Sequence, residues 1–137
     1  MTSDSQINRD QSGGLEACVT AWSPPPTIEE LAGAEGNLMA ELIQSFTADM
    51  EDRLQRIRGA MTSSNPAILR CEVHAIKGSS KQMAAFRVAS VCEQIEAAER
   101  GRPLSQLSDL VRQLEVRVGE VCDAMAGYRS TYARGIS

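Results

Sequence analysis

The chain is poor in the residues that carry most kinds of chemistry. It has one histidine, one tryptophan, two tyrosines and two phenylalanines among 137 residues, so aromatic side chains make up only 4% of it. Its four cysteines, Cys18, Cys71, Cys92 and Cys122, form neither a CxxC pair nor a Cys/His ligand spacing. Neither a zinc site nor a disulfide framework is expected, and the thiols should be reduced. With no second histidine, Ser79 and Ser80 lack a base to activate them, and a histidine-ligated metal or haem lacks a second ligand. No glycine-rich loop follows a strand, which argues against a nucleotide site. The formal net charge is −4 and Lys and Arg are not massed into a large basic footprint, which argues against general nucleic-acid binding. The N-terminus has no continuous apolar stretch of signal-peptide type, and no run is long enough to span a bilayer. The expectation is a cytoplasmic protein with no membrane partner.

Strand-like alternation of β-branched residues is also scarce. The 42% of hydrophobic residues are mostly Leu, Ile, Val, Met and Ala at helical spacing, so the chain reads as all-α. Its length suits one domain with a tail. Residues 1–26 mix Ser, Gly, Asp and Gln and end in three prolines, which predicts a flexible leader, and removal of residues 1–22 is expected to leave the fold intact. Trp22 is its one large apolar side chain, and folding back onto the domain suits it better than holding a ligand. The domain is expected over residues 27–132, with 133–137 a C-terminal tail. Thr27 and Glu30 form a capping box, predicting a short helix to about Ala32, ended by Gly33 and Gly36. From about Asn37 to Met61, Met39, Ile43, Phe46, Met50, Leu54, Ile57 and Met61 recur at steps of three and four, the mark of a long amphipathic helix.

A second helix begins at Pro66, capped by Ser64 or Asn65, and it holds the one histidine. On a 100° wheel Leu69, Val73, Ile76, Ser80 and Met83 share one side, while Arg70, Cys71, Lys77, Gly78 and Lys81 flank His74 on the other. His74 is therefore expected to face solvent. Gly78, one turn on, costs roughly 0.5–1 kcal/mol relative to alanine in an exposed helix, and room beside the imidazole would explain it. The turn is expected at Ala84 to Arg87. A third helix follows, with Val88, Val91, Cys92 and Ile95 as its apolar stripe and Gly101 and Pro103 as its stop. Antiparallel packing brings Glu96 to the height of His74, with Arg100 one turn beyond. A last helix from about Leu104 to Tyr132 carries Leu107, Leu114, Val121 and Tyr128 at one heptad spacing and Leu110, Val118, Met125 and Tyr132 at the other. The whole reads as an antiparallel four-helix bundle with a short additional N-terminal helix. Glu72 falls toward the apolar side of its helix, and the sequence offers no reason for it.

His74-Ala-Ile-Lys77-Gly78-Ser79-Ser80 followed by Met83-Ala84-Ala85 resembles the H-x-L-K-G-S-S…L-G-A signature of histidine-containing phosphotransfer (HPt) domains. The likeness continues in Val91-Cys92-Glu93-Gln94-Ile95-Glu96 and back through Glu41 to Phe46, covering about Thr27 to Tyr132. Ala84 stands where the family usually has glycine, and Val73 where alanine usually precedes the histidine. The resemblance implies a phosphorelay carrier, not a self-sufficient enzyme. His74 would accept a phosphoryl group from a receiver-domain aspartate and pass it to another receiver. Lys77, Gly78, Lys81, Glu96 and Arg100 would surround the phosphorylated imidazole, with Glu96 orienting the ring. The partners implied are response-regulator receiver domains and a hybrid sensor histidine kinase. Arg70, Cys71 and Arg87 would join the docking face, where Arg70, Lys77, Lys81, Arg87 and Arg100 would present a basic patch to an acidic receiver site. No carboxylate cluster adjoins the histidine, so no cofactor of its own is expected, and Mg2+ should come with the receiver. The chain is expected to be a monomer. The competing reading is a four-helix adaptor that binds receiver or kinase domains without being phosphorylated; His74, Lys77 and Gly78 together disfavour it.

Overall fold

The computed structural model describes residues 22–25 and 37–133. The capping-box helix expected from Thr27 lies outside the described residues. Four helices follow in order: α1 (Asn37–Ser63), α2 (Pro66–Gln82), α3 (Phe86–Glu99) and α4 (Ser108–Ala133). No strand occurs among the described residues. Each helix packs on two neighbours, α1 on α2 and α4, and α3 on α2 and α4, which closes an antiparallel four-helix bundle.

The apolar stripes meet in one core. Met39, Ile43, Phe46, Met50, Leu54 and Ile57 of α1 are buried, as are Leu69, Val73 and Ile76 of α2, Val88, Val91, Cys92 and Ile95 of α3, and Leu114, Val118, Val121 and Met125 of α4. The last helix starts later than the heptads suggest. Leu104–Leu107 form one 3-10 turn after an extended Pro103, with the Gln106 amide bonded to the Pro103 carbonyl at 3.0 Å, and only then does α4 begin. Leu107 is nonetheless fully buried and keeps its place in the seam.

Two tight turns set the packing of α2. Both use a non-glycine residue in the left-handed region, Ser64 at φ 56° and Ala84 at φ 61°. At the first, the Asn65 amide reaches back to the Ala60 carbonyl at 2.8 Å; at the second, the Ala85 amide reaches Ser80 at 2.7 Å and the Ala84 amide reaches Lys81 at 3.1 Å. These are the reach-back bonds that satisfy the last carbonyls of a helix. Asn65 then caps α2, its side chain accepting from the Ile68 amide, with Pro66 at the first helical position.

The structure supplies the reason for Glu72. Its buried carboxylate is gripped from α1 by Arg53 Nη1 at 2.8 Å and Arg56 Nε at 3.0 Å, and Arg53 also bonds Asp49. Hydrogen bonds to Glu72 and Asp49 raise the Arg53 guanidinium further above its ordinary value. A carboxylate on the apolar side of α2 is thus a clamp to α1, satisfied at both oxygens as burial demands.

Trp22 belongs to this core as well. It is 5% exposed, its indole Nε1 donates to the Met83 carbonyl at 2.6 Å, and its ring meets Tyr128 edge-on at 5.8 Å and 88°. Composition alone puts residue 22 in the flexible leader; packing puts its side chain in the bundle.

Candidate functional site

The side chains around His74 come from two helices. The apolar stripe of α2 locks its inner face, which fixes His74 on the outer face with 75% of its side chain exposed. Lys77 and Gly78 follow within one turn. A Cβ at Gly78 would meet no described residue within 4 Å apart from its own stretch of helix, so close packing does not account for this glycine. On the inner face Ser80 is fully buried and its hydroxyl has no hydrogen-bond partner among the described residues. Its small size suits the packing there.

Glu96 of α3 stands at the height of His74. Its Oε2 is 3.3 Å from His74 Nδ1, and its Oε1 accepts from Lys77 Nζ at 2.8 Å. With an anionic acceptor at Nδ1, the neutral ring carries its proton there and leaves the Nε2 lone pair free. Burial acts to raise the Glu96 carboxyl, but the hydrogen bonds with Lys77 and His74 outweigh it and hold the group below its ordinary value. The same bond raises the Lys77 ammonium above its own. Beneath them burial, helped by the nearby Glu96 charge, pushes the Cys92 thiol up to about 12, so it stays neutral.

His74 opens onto a groove lined by Ala67, Arg70, Cys71, Lys77, Glu96, Glu99 and Arg100. The expected basic patch is changed in two ways. Arg70, Lys77 and Lys81 are each paired with a glutamate of α3, namely Glu99 at 2.9 Å, Glu96 at 2.8 Å and Glu93 at 3.2 Å. Arg100 is the groove cation that has no ion pair among the described residues. Arg87, expected on the docking face, is absent from the groove lining; its guanidinium is 4.0 Å from Glu120 of α4. An α3 wheel explains this, because residue 87 lies toward α4 while residues 93, 96 and 100 lie toward α2. No sequence motif marks Glu99 or Glu93 as a partner for these cations, although steps of three from Glu96 put them on the same side of α3.

The Hpt domain family model matches residues 41–126. The chain belongs to the Hpt domain family. No curated protein matches it. Among solved structures, histidine-containing phosphotransfer protein B from Pseudomonas aeruginosa is 24% identical, with a TM-score of 0.72 over 82% of this chain and 97% of that one. The HPT domain of an Hpt sensor hybrid histidine kinase from Shewanella is 20% identical, with a TM-score of 0.63 over 77% and 92%. These likenesses carry the fold, and the family match carries the role. As an Hpt domain the chain is a phosphorelay carrier in two-component signal transduction.

Proposed function

We propose that His74 is the phosphoacceptor of this Hpt domain. The observation that carries the reading is an exposed imidazole tied through Nδ1 to Glu96, with Gly78 leaving open space one turn away. The neutral ring attacks the phosphorus of a receiver phosphoaspartate through Nε2. The P–N bond forms as the P–O bond to the aspartate breaks, and the carboxylate leaves. The reverse sequence loads a second receiver. Phosphoryl transfer depends chiefly on positioning and charge compensation. Glu96 supplies the first, and Arg100 and Lys77 supply the second. Lys81, paired with Glu93 a turn away, acts at the rim.

The receiver docks on the exposed side of α2 and the adjoining edge of α3, against Arg70, Cys71 and Arg100, and brings its own Mg2+. A hybrid sensor kinase is the upstream partner. The protein works as a cytoplasmic monomer and has no kinase activity of its own, so ATP and Mg2+ alone should leave it unlabelled.

The test is incubation with a receiver carrying radiolabelled phosphoaspartate. The wild-type chain should take up acid-labile label, while His74→Gln keeps its helical circular dichroism and melting curve and takes up none. Acid-labile label on the variant overturns the assignment, and a wild-type chain that binds receivers without label favours the adaptor reading.

A further inference from the structure

Glu96 has a second consequence, which rests on His74 being the phosphoacceptor. When Nε2 gives its lone pair to phosphorus, the ring still holds its Nδ1 proton and becomes cationic. If that proton escapes to solvent, later donation must expel an imidazolide anion, a poor leaving group. If the proton stays, the P–N electron pair returns to Nε2 and a neutral imidazole leaves, with no proton transfer needed. We propose that Glu96 keeps the phosphorylated ring of His74 protonated at Nδ1, so that the phosphoryl group is held ready for donation and is not stored.

The charges around the ring are the ground for this inference. From α2 it is faced by Arg70, Cys71 and Lys77, and from α3 by Glu96, Glu99 and Arg100; among the described residues α1 and α4 contribute no side chain to the groove. Glu96 is the carboxylate that contacts Nδ1, at 3.3 Å, whereas Glu99 is engaged by Arg70 at 2.9 Å. Lys77 lies on the opposite oxygen of Glu96 and keeps that carboxylate ionised, which makes it a steady partner for a cationic ring. The neutral Cys92 thiol adds no charge. Arg100 opposes a cationic ring but is free to pair with the phosphoryl oxygens, leaving Nδ1 to Glu96.

Glu96→Gln tests the idea, because the amide oxygen can still accept from Nδ1 while the negative charge is gone. Wild type, Glu96→Gln and Glu96→Asp, each checked for native circular dichroism, are loaded with phosphoramidate as a small phosphoryl donor. The Nδ1 titration midpoint of phosphorylated His74 is read by nitrogen NMR, and phosphoryl donation to a receiver is timed across the same pH range. The midpoint should fall by about one pH unit or more in Glu96→Gln and move back toward wild type in Glu96→Asp. Donation by Glu96→Gln should slow about tenfold per pH unit above its midpoint, over a range where wild type stays flat. Coincident midpoints and parallel pH profiles in wild type and Glu96→Gln overturn the proposal and leave His74 as acceptor. Label on all three proteins at a residue other than His74 removes both readings.

Discussion

Gly78 separates two explanations of a glycine in mid-helix, because they require opposite outcomes from the same substitutions. Because no described residue beyond the adjoining stretch of its own helix comes within 4 Å of where a Cβ would stand, Gly78→Ala should hold or gain stability, by up to about 1 kcal/mol from helix propensity. Gly78→Gln should also stay folded, yet its side chain would lie one turn from the imidazole and slow phosphotransfer steeply. Melting curves beside transfer rates decide it, and a folded Gly78→Gln that transfers at the wild-type rate would remove the proposed docking face. The Lys77–Glu96 pair makes a pH prediction. A depressed carboxyl stabilises above its ordinary value of 4.5 and loses that contribution as pH falls through the lower folded value. A raised ammonium stabilises below its ordinary 10.5 and loses that contribution as pH rises through the higher folded value. The melting difference between wild type and Lys77→Met should therefore be level through neutral pH and close at both extremes. The outward aim of His74 and the height of Glu96 could be read from a helical wheel and from counting across one turn. The pairing of Arg70, Lys77 and Lys81 could not, because it depends on which long side chains reach across a helix interface. Glu72 was opaque for the same reason, its partners Arg53 and Arg56 lying on another helix.

At the scale of elements, periodicity places α1, α2 and α3 within a few residues of their observed ends, and the uncertainty gathers in the turns. Pro66 and Asn65 announce the start of α2 because both act through local backbone chemistry. The end of α2 is harder to read: the family's glycine is replaced by Ala84, and only the structure shows that the chain still enters the left-handed region there, at φ 61°. A left-handed alanine costs about 1–2 kcal/mol, part of which a glycine returns as extra freedom of the unfolded chain, about 0.4–1 kcal/mol. Ala84→Gly should therefore stabilise the bundle by about 0.5–1 kcal/mol, read as a higher melting temperature. A lower melting temperature would mean that the Ala84 methyl contributes more to packing than its backbone costs.

For the whole molecule, the limit of the folded unit is where composition misleads. A segment rich in Ser, Gly, Asp and Pro has no periodic pattern to bury, and a single tryptophan cannot create one. Its docking depends on a pocket that only the finished bundle offers. There the indole donates to the Met83 carbonyl, at the helix end where carbonyls lack intrahelical partners, and its ring leans on Tyr128 of α4. Trp22 thus ties the α2–α3 turn to the far helix. Truncating a buried aromatic to alanine typically costs about 3–5 kcal/mol, a large share of the roughly 5–15 kcal/mol that holds a domain folded. Trp22→Ala should accordingly lower the melting temperature by on the order of 10 °C or more, and deletion of residues 1–22 should match it. Trp22→Phe keeps an aromatic ring but strands the Met83 carbonyl, for an intermediate loss of about 1–3 kcal/mol. Phosphotransfer measured well below each midpoint should survive in all three, because the described residues that line the His74 groove all belong to α2 and α3. Wild-type melting of the deletion would show that the indole contributes nothing to holding the bundle, and the domain would then begin after it.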